Sequence, residues 1–181
     1  MVHGGPVASI GAIPVRSAQP APTPTGESAA AIPPVGLRLP GQAHPSPVVP
    51  VDTDTGGALE VPENPATLGW WSGGAKPGQG LGSIVIDGHI DSSRYGTGVF
   101  AQLRYLNVGD RIELGTSDGS QRSYAVTGRR QFAKSALPAE VFDQNVGERL
   151  VLITCGGTFN SQTRHYSENT VLYAVPAAAG D

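Results

Sequence analysis

Short apolar stretches separated by turn residues characterise the chain from about residue 34 onward. Residues 35–39 alternate apolar and polar side chains with a period of two, which predicts a half-buried strand. Residues 83–86 (Ser-Ile-Val-Ile), 150–154 and 170–175 are continuous apolar runs, and these predict buried strands. Residues 48–51 are short and rich in Val and Pro, which suggests an edge strand.

Turn and helix signals divide these strands. Residues 111–114 and 121–127 are predicted to pair as a hairpin across the Ser-Asp-Gly-Ser turn at 117–120. Apolar positions at i, i+4 and i+7 within residues 99–106 favour a short helix, and Pro near the start of 137–142 favours one or two helical turns. The pattern therefore predicts an all-β domain of about eight strands and two short helices. A closed or nearly closed barrel fits best, and a sandwich stays open.

The first 30 residues differ in composition from the remainder of the chain. They are rich in Pro, Ala, Ser, Gly and Thr, and such a segment buries too little apolar surface to offset the entropy lost on ordering. We predict a flexible tail or linker over residues 1–30 and one folded domain over residues 31–181.

Charge and targeting signals narrow the classes of function. The formal net charge is −3 and Lys and Arg are not clustered, so the sequence does not predict nucleic-acid binding. No apolar run reaches the roughly 20 residues of a membrane span, and the first residues lack the basic and apolar regions of a signal peptide. The sequence predicts a soluble chain, either cytoplasmic or part of a longer anchored protein.

Cys155 is the single cysteine, so no internal disulfide can form. A lone cysteine is more often a small buried apolar side chain than a nucleophile, and its neighbours decide between these. Cys155 follows a predicted strand and precedes Gly156 and Gly157. Glycine there lets backbone N–H groups approach a substrate carbonyl, although glycine after a strand also simply forms a turn.

Two further residues could serve a reactive thiol. His89 lies in the run Asp-Gly-His-Ile-Asp, just after the strand 83–86, whereas His3 and His44 lie in tail or Pro-rich sequence. A histidine can transfer protons near neutral pH, and His165 is the other available one. Arg164 can place hydrogen-bond donors and a fixed positive charge where an oxyanion develops. Taken separately, each could instead be an ordinary loop residue.

Cofactor chemistry is not indicated by the residue pattern. One Cys and scattered His residues do not form the close pairs that tetrahedral zinc needs, and no acidic cluster suited to calcium stands out. No Gly-rich phosphate loop ending in Lys-Ser/Thr is present. We therefore expect no cofactor and no metal.

Together these motifs resemble the sortase family across about residues 33–175. Gly-His-Ile-Asp-Ser at 88–92 is similar to the sortase histidine motif, and Leu-Ile-Thr-Cys at 152–155 to most of the family's Thr-Leu-x-Thr-Cys motif. Arg164 stands where the essential sortase arginine follows the cysteine. Val151 departs from the pattern, because the family has Thr there.

Additional runs resemble the actinobacterial class F sortases. They are Gly-Trp-Trp at 69–71, Gly-Thr-Gly-Val-Phe at 96–100, Cys-Gly-Gly-Thr-Phe-Asn at 155–160, and Arg-His-Tyr at 164–166 followed by Asn169.

The resemblance implies a fold and a reaction. It implies an eight-stranded β-barrel and a cysteine transpeptidase that cleaves an LPXTG-like sorting signal between Thr and Gly. Cys155 would form the acyl-enzyme, His89 would protonate the leaving amine and deprotonate the incoming one, and Arg164 with a backbone N–H would stabilise the oxyanion. The acceptor would be an amine such as a peptidoglycan precursor. The full-length protein would be membrane-anchored, acting on the extracytoplasmic face of the membrane.

The sequence also suggests supporting residues for the site and a rate for the proposed reaction. Thr154, Asp91 and Gly156 are candidates for substrate binding or for orienting the site, and one of Trp70 and Trp71 is expected in the core. With ordinary Cys and His pKa values, under about 1% of molecules at pH 7 hold thiolate and imidazolium together. A slow enzyme is therefore expected.

Two other interpretations stay open. A papain-like hydrolase would use His165, but such enzymes place the cysteine at a helix start and before the histidine. A non-catalytic surface β-domain would contain Cys155 as a core residue, inaccessible to alkylation in the folded protein.

Overall fold

The structure, a computed structural model, describes residues 7–14, 32–162 and 165–177, with only the backbone of 158, 159 and 165. Within these ranges the chain forms eleven strands. They are β1 (Ile10–Gly11), β2 (Pro34–Arg38), β3 (Ser46–Val51), β4 (Leu68–Trp71), β5 (Ser83–Asp87), β6 (Asp91–Ser92), β7 (Gly96–Thr97), β8 (Arg111–Thr116), β9 (Gln121–Ala133), β10 (Arg149–Asn160) and β11 (His165–Pro176).

Eight of these strands close into a barrel, as the sequence pattern and the family resemblance predicted. The order around the ring is β9-β11-β10-β5-β4-β3-β2-β8, and β8 pairs back onto β9. The pairings β3–β4 and β5–β10 are parallel, and the other pairings around the ring are antiparallel. Closure satisfies the backbone groups that an open sheet leaves unpaired at its edges.

The barrel interior holds the larger apolar core. On β5, Ile84 and Ile86 point inward to it, while Val85 belongs to a second cluster on the outer face. Neighbouring side chains of a strand point to opposite faces, so this alternation identifies the two surfaces of the sheet. We call the second cluster the outer cluster; its buried members are Val85, Val141, Val151, Ile153, Val171 and Tyr173.

Within the described residues, two short helices accompany the barrel, as predicted, and both are 3₁₀ helices. The first spans Val99–Tyr105 and buries Phe100, Ala101 and Leu103. The second spans Ala139–Phe142 and buries Val141 in the outer cluster. Within the described ranges, no helix is long and apolar enough to cross a membrane.

Two strand predictions were wrong in detail. Residues 48–51 pair in parallel with β4, and β3 also bonds β2, so β3 is not an edge strand. Strand β10 does not end at residue 154 but continues through Cys155 to Asn160, with a register irregularity between Gly156 and Phe159. The sequence did not predict this continuation, because Gly156 and Gly157 follow Cys155 and Gly is uncommon inside strands.

Residues 7–14 pack on the barrel. Strand β1 pairs with β9, with Ile10 opposite Arg129, and Ile13 packs against the outer cluster. The Arg149 guanidinium donates a hydrogen bond to the Pro14 carbonyl at 3.2 Å. The division of the chain at residue 30 stays a prediction, since residues 15–31 lie outside the described residues.

Candidate functional site

The parallel pairing of β5 with β10 brings the His89 segment beside Cys155. Asp87 at the end of β5 lies opposite Ile153, and the next residue, Gly88, donates its N–H to the Ile153 carbonyl at 3.2 Å. His89 therefore follows β5 while β10 runs alongside it to Cys155. Residues 66 positions apart in the chain share one end of the sheet.

Thr154 adds a side-chain link between the two segments. Its hydroxyl donates to the Gly88 carbonyl at 2.6 Å, and the side chain is buried. A buried carbonyl without a partner is costly, so this bond fixes the backbone immediately before His89. The sequence analysis named Thr154 as a supporting residue without predicting this contact.

The loop after β5 returns through a tight hairpin. Strands β6 and β7 pair with each other, and the Gly98 N–H donates to the Ile90 carbonyl at 2.8 Å. A Cβ at Gly98 would lie 2.2 Å from the His89 carbonyl oxygen. Only glycine allows this approach, which holds His89 next to the first 3₁₀ helix.

Cys155 is half-buried and lies opposite Asn169 of β11. It packs against Ile90, Ala101 and Tyr166. Burial raises the pKa of the Cys155 thiol; Lys134 lowers this pKa, and the charges of Asp91 and Asp87 raise it. The thiol form is therefore favoured at rest.

His89 is also half-buried, and burial lowers the pKa of its imidazole. The Asp91 carboxylate raises this pKa and the Lys134 ammonium lowers it. Asp91 and Lys134 thus act on both Cys155 and His89, which places the two side chains in one electrostatic environment. The neutral pair dominates near pH 7, so thiolate with imidazolium is a minority state.

Asp91 has a fixed partner in this environment. The Tyr166 hydroxyl donates to the Asp91 carboxylate at 2.8 Å. Burial and this carboxylate together raise the pKa of Tyr166 to about 12. The phenol therefore stays protonated and holds Asp91 against β11. This contact joins β6 to the strand that pairs with the Cys155 strand β10.

Gly156 and Gly157 let β10 approach β11 closely. A Cβ at Gly156 would lie 2.3 Å from the Thr170 hydroxyl oxygen. Gly157 has φ +74°, and a Cβ there would lie 2.6 Å from the Ser167 hydroxyl oxygen. Both glycines are required by backbone conformation and packing, in addition to any approach they permit to a substrate.

Arg164 lies outside the described residues, so the structure provides no position for its guanidinium. His165, the histidine of the papain-like alternative, is described by its backbone only and pairs with Asn160 at the tip of the β10–β11 hairpin. Among the residues that the structure describes, no group of three or more His, Cys, Asp or Glu side chains could hold a metal ion.

Sequence reasoning assigned no role to two charged residues of this region. Lys134 follows β9, and its backbone N–H donates to the Ser167 carbonyl at 3.2 Å. Its side chain is exposed. Asp87 is buried at the end of β5. Neither residue has a local signal in the sequence, since both depend on strand pairing to lie near Cys155.

The tryptophans divide between the two apolar regions. Trp70 is buried in the barrel interior and donates its indole N–H to the Ala75 carbonyl at 3.3 Å. Trp71 packs against the outer cluster and meets the Phe142 ring edge-on, at 5.4 Å between centroids. Val151, where the sortase motif has Thr, is fully buried in the outer cluster.

The comparison with protein families identifies the chain. A closed eight-stranded barrel with Cys155 on one strand and His89 just beyond its parallel neighbour defines a candidate cysteine enzyme site. The family model of the sortase domain matches residues 37–177. The chain therefore belongs to the sortase family, which implies a cysteine transpeptidase.

Solved structures share the fold at low sequence identity. Sortase C1 of Streptococcus agalactiae, solved in complex with MTSET, aligns with TM-score 0.61 and 18% identity over 81% of this chain and 69% of that chain. A lid mutant of sortase A from Corynebacterium diphtheriae gives 0.59 and 21% over 83% and 72%. The SrtA sortase from Actinomyces oris gives 0.59 and 20% over 83% of both chains. The comparison with curated proteins gives no match.

Proposed function

We propose that this protein is a sortase that cleaves an LPXTG-like sorting signal between Thr and Gly and transfers the acyl group to an amine. The supporting observation is the β5–β10 pairing, which brings the His89 segment beside the single cysteine of a sortase-family barrel. The class F resemblance of the motifs extends this proposal to the actinobacterial class F enzymes.

The proposed reaction has two steps with balanced protons. The Cys155 thiolate attacks the Thr carbonyl carbon, the C–N bond to Gly breaks, and imidazolium of His89 gives its proton to the leaving amine. The incoming amine then attacks the thioester and loses a proton to His89, while the thiolate leaves. A backbone N–H near Cys155 and the Arg164 guanidinium are the proposed donors to the oxyanion.

Support for these roles differs between residues. Cys155 and His89 share the electrostatic influence of Asp91 and Lys134, and Thr154 fixes the backbone before His89. Asp91 and Gly156 are proposed to position the site, Asp91 through Tyr166 and Gly156 through its close approach to Thr170. The role of Arg164 rests on its motif position alone.

The proposed partners and location follow from the family. Sorting-signal proteins would be the acyl donors, and an amine of a peptidoglycan precursor would be the acceptor. The enzyme would act at the cell surface, on the extracytoplasmic side of the membrane.

Mass spectrometry of the protein with a Leu-Pro-Ala-Thr-Gly peptide and excess amine tests this proposal. The expected product joins Thr to the amine and is absent with Cys155→Ala. A Thr-acyl adduct on Cys155 would identify the intermediate directly.

The binding-domain alternative has one observation in its favour, the packing of Cys155 against Ile90, Ala101 and Tyr166. If no peptide of an LPXTG-type panel is cleaved and iodoacetamide leaves Cys155 unmodified in the folded protein, that alternative replaces the enzyme.

A further inference from the structure

The carboxyl group of Asp87 is buried without a hydrogen-bond partner. The residue is 4% exposed, and neither carboxyl oxygen makes a hydrogen bond of acceptable geometry. A Cβ at Gly69, its partner on β4, would lie 2.5 Å from one of these oxygens and 3.0 Å from side-chain atoms of Val51 and Pro62. The carboxyl thus occupies the space above a glycine, among uncharged residues.

This arrangement disfavours the carboxylate. Burial raises the pKa of Asp87 to about 7; the N–H groups of Asp87 itself and Gly69 lie near enough to lower this pKa but are not aligned for a hydrogen bond. A buried polar group that costs stability and lacks a partner calls for an explanation beyond packing. Among the described residues, no cation forms an ion pair with this carboxyl.

Cys155 is on the same face of the sheet, one strand away. Val85 precedes Asp87 by two positions on the outer face of β5, and Ile153 precedes Cys155 by two positions on the outer face of β10. Because Asp87 pairs with Ile153, strand geometry puts the Asp87 and Cys155 Cα atoms about 8 Å apart.

We propose that Asp87 is a positioning residue for the Cys155 thiol: its buried carboxyl, which makes no hydrogen bond and lies one strand away on the same face of the sheet, opposes ionisation of the thiol when it is charged. The carboxylate already raises the pKa of Cys155. The consequence for catalysis rests on the proposed role of Cys155 as nucleophile. The effect on the thiol itself does not.

Other groups act on this thiol from the surrounding elements. Lys134 after β9 and Asp91 of β6 contribute charges, the Tyr166 hydroxyl comes from β11, and His89 lies in the intervening loop. Glu168 of β11 pairs with Gly156, next to the thiol. Arg164 lies outside the described residues. A test must therefore remove the Asp87 charge alone and follow the thiol alone.

Alkylation by iodoacetamide provides that readout, because Cys155 is the single cysteine and only its thiolate reacts. Rates are measured by intact mass from pH 5.5 to 9 for wild type and Asp87→Asn. The ratio of the Asp87→Asn rate to the wild-type rate is expected near one at pH 5.5. It should rise to about three- to tenfold at pH 8.5, where the carboxylate is present.

Glu113→Gln is the matched control, because β8 lies four strands from β5 around the barrel. It removes one negative charge and should leave the rate unchanged at every pH. Asp87→Ala should show the same pH-dependent ratio as Asp87→Asn, which separates the charge from the shape of the side chain.

A ratio that is constant with pH, or below one at pH 8.5, overturns the inference. Failure of the proposed function is recognised separately by the peptide assay, since a wild type that lacks transpeptidase activity but is alkylated still reports the profile. A Cys155 thiol that is not alkylated at any pH in either protein also overturns the inference. A purely structural role would alter the alkylation rate equally at all pH values.

Discussion

At the scale of single residues, burial opposes the chemistry that Cys155 and His89 are proposed to perform. Burial raises the pKa of the thiol and lowers that of the imidazole. The neutral pair is therefore the resting form over a wide pH range, and the reactive ion pair is a small fraction of it. Asp91 raises both pKa values and Lys134 lowers both, so these two residues adjust the pair in opposite directions.

The opposite effects of Asp91 and Lys134 on these pKa values predict how the pH–rate profile should change in variants. The profile of kcat/KM should be a bell, with its acid limb at the deprotonation of His89 and its alkaline limb at that of Cys155, because the active pair holds one proton. Lys134→Gln should raise both pKa values and move the bell to higher pH, with activity on the acid limb falling about two- to threefold. Asp91→Asn should move it to lower pH.

Kinetics across pH 5–10 check this prediction. Added salt should shrink the Lys134 effect, because the ammonium is exposed. Equal shifts in the same direction for both variants would contradict the assignment of their charges.

At the scale of elements, the site depends on how β10 and β5 are joined at their ends. The backbone pairing extends one residue beyond β5 through Gly88, and Thr154 bonds the same residue from the side chain. The loop that carries His89 is thus attached to the strand that carries Cys155 at two points. The first 3₁₀ helix packs against this region through Ala101, which belongs to the small cluster of Ile90, Tyr166 and Cys155.

Thr154→Val tests whether the Thr154 hydroxyl, and not only the packing of its side chain, positions His89. It keeps the shape but leaves the Gly88 carbonyl unpaired, which costs about 1–3 kcal/mol of unfolding free energy and loosens His89. We expect kcat/KM to fall by about tenfold or more, and Thr154→Ser to retain most activity because it keeps the hydroxyl. Urea unfolding and peptide kinetics of both variants test this, and equal activity of Val and Ser variants would argue against the bond.

Arg129 joins three elements in another part of the barrel. Its buried guanidinium donates to the carbonyls of Leu103 and Leu106 at 3.1 and 2.7 Å, and to Ala8 at 3.1 Å. Arg129→Met should leave these carbonyls unpaired and lower the free energy of unfolding by about 2–4 kcal/mol.

The comparison variant for Arg129 is Arg111→Met, whose residue is exposed on β8. Its cost should stay under about 1 kcal/mol. Equal costs for the two variants in urea unfolding would contradict the role given to the buried guanidinium.

At the scale of the whole molecule, the described part of the closed ring carries its two larger apolar clusters on opposite faces of the sheet. The interior core fills the barrel, and the outer cluster covers part of its outside through the second 3₁₀ helix and Ile13. Strand β5 is buried along its whole length because both of its faces are covered. This double coverage places a carboxyl, Asp87, out of contact with water at the end of a strand.

The buried carboxyl makes the stability of the protein depend on pH. Its pKa is about 7 in the folded state and 3.8 when unperturbed, so the folded state binds more protons between these values and stability falls as pH rises through this window. Asp87→Asn should remove this slope and be more stable than wild type by about 2–4 kcal/mol at pH 8, with little difference at pH 4.

Urea unfolding at several pH values measures both proteins. A wild-type stability advantage at pH 8 would contradict the burial cost of Asp87. Because the two curves are compared at each pH, contributions from His89 and other groups cancel.

Much of this architecture follows from local sequence. The alternating and continuous apolar runs predicted the barrel strands, and the turn at 117–120 predicted the β8–β9 hairpin, because these signals come from side chains adjacent in the chain. The pairing of β3 inside the ring and the continuation of β10 past Cys155 were not predicted. Strand neighbours are chosen by contacts distant in sequence, and Gly156 and Gly157 carry no strand signal.

For the site, the sequence by itself determined which residues are chemically able to act: a single thiol at Cys155, a histidine at His89 in a Gly-containing loop, and Arg164 after the cysteine. Only the tertiary structure decided what surrounds them. The parallel pairing of β5 with β10 placed Asp87 one strand from Cys155 on the same face of the sheet, and the end of β9 brought Lys134 to the same region. Burial and through-space charge depend on the folded arrangement, so no local pattern could reveal them.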